Sequence, residues 1–343
     1  MKISAHLIRS LLISLLCLPL VSVVAQPPGG PGGPGGPGNR VHTATEAEPL
    51  DLVPANRKPP EKSKYTEAEK GEERAITANG LPQHDVGRFP NRDNPNEIRP
   101  QAYQIVIPAD PEPAEAITFI QSVAGRGGPR PQFQVFGISL DGVLMEPGTA
   151  ESYLGRPELG WHYDALGGAV PLGLDSNYAH VQPDGNYHYH GLPIGLMKRL
   201  GYQPGHHSPM IGWAADGFPI YVMFGYSAAK DATSAIGELK TSYRLKAGER
   251  PKAKDAPGGA YDGAFIEDYE YVADLGDLDE CNGRFCITPD FPEGTYAYFM
   301  TREWPVIPRA FRGTPMELKM PNLERRGRGD GPPPGGPGGL PPR

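Results

Sequence analysis

Chemistry gathers first where three histidines fall within one short stretch, His180-Val181-Gln182-Pro183-Asp184-Gly185-Asn186-Tyr187-His188-Tyr189-His190. Pro183-Asp184-Gly185 suits a three-residue hairpin loop, because Pro presets φ at the first turn position, Asp tolerates the second and Gly takes the left-handed third. That loop pairs Gln182 with Asn186, Val181 with Tyr187 and His180 with His188. Side chains alternate across a strand, so His180, His188 and His190 share one face while Tyr187 and Tyr189 take the other. Their Cβ atoms would lie about 5 Å apart for the opposed pair and roughly 7 Å for the others, a span that one metal with bonds of ~2.0–2.1 Å can bridge. A two-residue loop at Asp184-Gly185 would instead pair His180 with Tyr189 and send it to the far face.

Neutral imidazole suits Zn, Cu, Fe or Ni, and three imidazoles with an open position describe a catalytic or labile site, with Zn or Cu the expected ion. A satisfied polar cluster, each His bonded to carbonyls or Tyr hydroxyls, is the alternative. Asp216, in Gly212-Trp213-Ala214-Ala215-Asp216-Gly217-Phe218-Pro219, is the candidate fourth ligand or catalytic base, and a turn position before Gly217 is its plainer role. His162, in Trp161-His162-Tyr163, is a second candidate, whereas His206-His207 between Pro204-Gly205 and Ser208-Pro209 reads as a solvated loop. Trp161, Trp213 and Trp304 suit either core packing or a sugar-stacking platform.

Positioning these groups falls to short strands. Between about 75 and 320 the apolar residues alternate in brief runs bounded by Gly, Pro and Asp. Tyr103 to Ile107 ends at Pro108, Phe133 to Leu140 turns at Asp141-Gly142 into Val143-Leu144-Met145, and Tyr269 to Tyr271 and Thr295 to Phe299 alternate likewise. Ser227 to Tyr243 has the Ala, Glu and Lys content of the one short helix. The expected fold is mainly β, an antiparallel sandwich or distorted barrel with one short helix and disordered Pro/Gly-rich ends.

The ends carry other information. Lys2 and Arg9, the apolar stretch Leu11 to Leu20 and the small-residue site Val23-Val24-Ala25 make 1–25 an export signal peptide, too short to span a membrane. Residues 27–38 are only Pro and Gly and 331–342 nearly so; 26–75 is expected as a disordered linker, 76–320 as the β domain and 321–343 as a disordered tail. Signal removal takes away Cys17 and leaves Cys281 and Cys286 for an oxidising compartment, where a disulfide across Asn282-Gly283-Arg284-Phe285 is expected. With 33 basic against 40 acidic residues, a nucleic-acid partner is excluded. No His-Glu-x-x-His, Gly-x-Ser-x-Gly or phosphate loop is present, and Gly125-Arg126-Gly127-Gly128-Pro129 lacks the Lys and Ser/Thr of the last.

Asp175 through Leu192, the run Gly212 to Tyr221, Gly258-Gly259-Ala260-Tyr261-Asp262-Gly263 and Leu278-Asp279-Glu280-Cys281-Asn282-Gly283-Arg284, in that order, resemble the bacterial YHYH-motif proteins over roughly residues 100 to 315. The resemblance implies an exported protein and no particular activity. Where that family often carries a second Tyr-His-Tyr, this chain has Tyr296-Ala297-Tyr298. Two function classes follow. One is a periplasmic or secreted metal-binding protein, with a metal-dependent enzyme acting on a small-molecule or glycan substrate as its sharper form. The other is a non-enzymatic extracellular module that binds a glycan or a protein and uses its histidines structurally.

Overall fold

Period-two alternation builds the first sheet. The structure, a computed structural model that describes residues 41–120 and 134–318, pairs β1 (Tyr65–Lys70), β2 (Glu73–Ala78) and β3 (Tyr103–Pro108) as an antiparallel meander. Arg74, Ile76 and Ala78 of β2 and Tyr103, Ile105 and Ile107 of β3 are buried, and the residues between them face solvent, the pattern of a sheet covered on one side. The expectations for the export signal, the 27–38 tract, Gly125 to Pro129 and the far tail lie outside the described residues.

The remaining strands are β4 (Pro113–Phe119), β5 (Gly137–Ser139), β6 (Leu144–Met145), β7 (Ala179–Val181), β8 (Tyr187–Tyr189), then, after the helix α1 (Ile194–Arg199), β9 (Met210–Ala214), β10 (Pro219–Val222), β11 (Phe224–Tyr226), β12 (Ile236–Glu238), β13 (Tyr243–Leu245), β14 (Tyr269–Tyr271), β15 (Gly283–Cys286), β16 (Thr295–Met300) and β17 (Ala310–Gly313). Eight form one sheet in the order β15-β16-β10-β9-β5-β6-β8-β7. Its pairs are antiparallel except β10 with β16 and β6 with β8. Every residue of β5, β8 and β10 is buried, so the middle of this sheet is covered on both faces. Ile76 and Ile105 of the small sheet share one apolar core with Ile138, Trp213, Ile220 and Tyr298 of the large one, where Phe136 stacks on Phe311 with ring centres 5.2 Å apart.

The mainly β class and the hairpin at Asp141-Gly142 follow the sequence reading. The barrel alternative does not: β15 and β7, the two end strands of the large sheet, do not pair with each other, and no closed barrel forms among the described residues. The short helix is α1 and not Ser227 to Tyr243. There β11 and β12 make a hairpin whose turn is held by Asp231, which accepts from the Thr233 amide, and by Ser234, whose hydroxyl donates to the Asp231 carbonyl. Such short polar side chains compete with helical hydrogen bonds.

Order also begins upstream of Ala75. His42, Val53 and Arg57 form isolated bridges to Tyr153, Asp175 and Val86, and Leu50 and Leu52 pack on a second apolar cluster around Tyr163, Leu174 and Phe265. Scattered apolar residues between prolines suffice for this, because each lands on a preformed surface. Cys281 and Cys286 are free thiols, which corrects the expected disulfide. Cys281 packs in the main core with Phe218 and Tyr296, whereas Cys286 packs with Tyr221 and Phe299 in a separate cluster, so each thiol is buried among different neighbours. No helix among the described residues is long and apolar enough to cross a membrane.

Candidate metal centre

The hairpin loop decides where the histidines point. Gln182 donates its amide to the Asn186 carbonyl at 2.9 Å, and Gly185 closes the turn onto the Gln182 carbonyl at 2.8 Å. Gly185 sits at φ 91°, and a Cβ there would meet the Arg99 side chain at 2.5 Å, so both conformation and space call for glycine. The resulting register pairs His180 with His188 and Val181 with Tyr187, the three-residue-loop register. On the opposite face from the histidines, the Tyr187 hydroxyl donates to Asp175 at 2.8 Å, and the Tyr189 hydroxyl bonds Nε2 of His84 at 2.6 Å.

The three imidazoles meet. Nε2 of His190 lies 3.0 Å from Nε2 of His188 and 3.1 Å from Nε2 of His180, and each pair of ring centres is 4.7 Å apart. Nδ1 of His180 lies 3.0 Å from the Leu172 carbonyl oxygen and Nδ1 of His188 lies 3.3 Å from that of Asn186. A carbonyl only accepts, so in both rings Nδ1 carries the proton and Nε2 a lone pair. Two lone pairs and the third ring therefore converge on one point. Ligand atoms ~2.0–2.1 Å from one tetrahedral ion lie roughly 3.3 Å apart, close to the observed separations.

Burial keeps the rings neutral. His188 and His190 are held well below the usual histidine range, first by burial and then by their neighbours' charge, and His180 is lowered by burial with the Leu172 carbonyl opposing. Glu146 stands beside them. It follows β6, which runs parallel to β8 with Leu144 opposite His188, and its Oε2 is 3.5 Å from Nε2 of His188 and accepts from Nε2 of Gln182 at 2.9 Å. Burial, reinforced by the charge of Asp184, pushes its carboxyl up to about 8. Sequence spacing held no sign of Glu146, because it arrives from a neighbouring strand over 30 residues upstream; a buried acid at the end of an apolar run was the one available clue.

Asp216 does not join this group. It is 1 % exposed in the turn between β9 and β10, where its carboxylate accepts from the Tyr298 hydroxyl and from the amides of Gly313 at 2.8 Å and Phe218 at 3.4 Å. The turn role thus describes it. His162 is likewise engaged elsewhere, its Nδ1 2.7 Å from Glu267. His206 is exposed, as expected, but His207 packs between Tyr221 and Tyr226. The three tryptophans are dispersed: Trp161 meets Phe265 edge-on, Arg74 lies over Trp213, and Trp304 stacks on Tyr269. Ala297, where the second motif histidine would stand, is buried in β16.

His180, His188 and His190 are the one group of three or more His, Cys, Asp or Glu among the described residues whose ligand atoms come close enough to hold a metal ion. Neither the curated proteins nor the solved structures yield a match to this chain. Residues 104–313 match the model of the YHYH protein family, and with the Tyr187-His188-Tyr189-His190 hairpin at the centre of that match the chain belongs to it.

Proposed function

We propose that this is an exported, periplasmic or secreted metal-binding protein in which His180, His188 and His190 hold one transition-metal ion, zinc or copper, and that the centre serves a metal-dependent enzyme. The observation that carries the reading is the convergence of three Nε2 atoms at 3.0–3.1 Å with two of them deprotonated by their carbonyl-bound partners. Without a cation, the three rings have at most one proton among them for that cluster of lone pairs, an arrangement that burial makes costly. A bound ion with an open position would activate water or polarise a substrate oxygen. The Leu172 and Asn186 carbonyls fix ring orientation. Glu146 supplies a carboxyl group beside His188, which a bound cation would ionise and so make able to complete the ligand set or to accept a proton at Oε2, the part first sought in Asp216.

Elemental analysis of the full chain purified from the periplasm tests this. The expected result is about one equivalent of zinc or copper, lost in His188→Ala. Glu146→Gln, which keeps the acceptor for Gln182, is expected to weaken metal affinity roughly 10–100-fold, the usual cost of disturbing an outer partner. Folded protein that binds no ion in either metal's presence would leave the histidines structural and favour the non-enzymatic binding module.

A further inference from the structure

A cleft of about 640 Å³, within the ~300–1,000 Å³ of small-molecule sites, is parted from His190 by a narrow gap with which it shares four lining residues. One wall is aromatic and fixed. Trp304 stacks on Tyr269 with ring centres 4.2 Å apart and planes 3° from parallel, and its indole N–H donates to Asp164 at 2.8 Å. Leu192 and Met197 extend the apolar lining. Asp164, Leu166, Trp304 and Val306 also line a narrower gap whose other walls include His190 and Arg309. That gap admits no more than roughly a water molecule, so a ligand body stays in the cleft with His190 beyond its inner end.

The backbone of the cleft is held away from its preferred state. Tyr178 and Met223 both line it, and both have positive φ, 53° and 38°, a region that bulky residues adopt rarely and mostly at functional sites. The Tyr178 carbonyl accepts from the His190 amide at 2.7 Å, which couples the cleft wall to the metal-binding strand.

Charge selects the ligand. Asp164 is the one carboxylate of the lining among the described residues, and Arg309 pairs with it at 2.9 Å. Arg302 is matched by Glu238 at 3.2 Å. Lys198, exposed on α1, has no ion-pair partner among the described residues, so the cleft is left with one uncompensated positive charge. The indole N–H of Trp304 and the Asp164 carboxylate already bond each other, so the polar groups of that wall are engaged and its surface meets a ligand mainly as apolar area. An apolar ring gains by packing against the aromatic and aliphatic lining.

We propose that the cleft binds a small aromatic carboxylate, its ring along the Trp304–Tyr269 wall and its charge at Lys198. Presentation of that ligand to an ion rests on the metal-centre reading above; occupancy of the cleft does not. Calorimetric titration of the full chain with 2-naphthoate tests it, with the neutral 2-naphthylmethanol and with galacturonate as comparisons. Saturable 2-naphthoate binding is expected, weakened at least tenfold in Lys198→Glu while 2-naphthylmethanol is unaffected. Ile194→Trp, an exposed position on the same lining, is expected to fill the cleft and abolish binding of both naphthalenes. Retained 2-naphthoate binding in metal-free His188→Ala supports the cleft independently of the ion. No saturable binding by wild type, equal binding by Lys198→Glu, loss in folded His188→Ala, or tighter binding of galacturonate would each overturn the proposal.

Discussion

Asp216 carries its charge against its surroundings. Burial pushes its carboxyl up to about 6 from the ordinary 3.8, and the bonds from Tyr298, Gly313 and Phe218 only partly offset that push. The folded state therefore holds this proton more tightly than the unfolded chain does. Its contribution to stability is fully present below about pH 4 and is lost as pH rises through about 6, a change of about 3 kcal/mol at ~1.4 kcal/mol per unit. Urea unfolding of wild type and Asp216→Asn at pH 4.5 and pH 7 checks the sign. Asparagine loses an acceptor at either pH, so the variant is less stable at pH 4.5, and its deficit is expected to shrink by about 2–3 kcal/mol at pH 7; an unchanged deficit would contradict the assignment. Residues also differ in how far sequence exposes them. The three histidines were legible because one loop length and one period fix their side, and both are local. Glu146 was not, because its place beside His188 depends on a parallel pairing of β6 with β8 that no local signal encodes. Asp216 misled because an acid before a glycine suits a base and a turn equally well.

Hairpins are the elements on which the site depends, and their turns were the most readable parts of the chain. Pro183-Asp184-Gly185 and Asp141-Gly142 each announce a bend through residue types whose backbone preferences are intrinsic. The helix was misplaced for the complementary reason. Ala, Glu and Lys between 227 and 243 favour helix only weakly, and Asp231, Thr233 and Ser234 turn that stretch with bonds of their own. Gly185 bears the sharpest element-level consequence. Its φ of 91° and the 2.5 Å approach of Arg99 to a would-be Cβ predict that Gly185→Ala destabilises the fold by about 1–3 kcal/mol. Gly148→Ala, where an added methyl meets nothing within 4 Å and φ is not positive, is expected to be near neutral. Metal content measured on the same proteins should fall for Gly185→Ala alone, since the loop sets the register that places His180 opposite His188. Equal unfolding midpoints and equal metal content for the two variants would separate the loop from the site.

At the scale of the molecule, the segment 41–52 is tied down by a buried charge cluster that composition conceals. Proline and charge in 26–75 read as a linker because isolated apolar residues such as Leu50 and Leu52 give no period, and their partners lie over 100 residues away. Arg250 makes the tie. Its side chain is 0 % exposed, bonds both carboxylate oxygens of Asp268 at 2.5–2.7 Å, and donates to the Gly258 carbonyl at 3.0 Å and the Thr45 carbonyl at 2.7 Å. It also pairs with Asp262, whose other oxygen accepts from the Ala47 amide at 2.9 Å. Removing the cation leaves Asp268 buried without a counter-charge, a loss of about 3–5 kcal/mol in such pairs. Arg250→Met, which keeps most of the stem that lies over Phe265, is therefore expected to lower unfolding free energy by that amount. Proteolysis of the folded variant should begin near 41–52, where Thr45 and Ala47 lose their anchors directly or through Asp262. Arg250→Met/Asp268→Asn should recover part of the stability without restoring protection of that segment, because the carboxylate's cost is relieved while the bond to Thr45 stays lost. A variant within about 1 kcal/mol of wild type, or cleavage first elsewhere, would show that the apolar contacts of Leu50 and Leu52 hold the segment unaided.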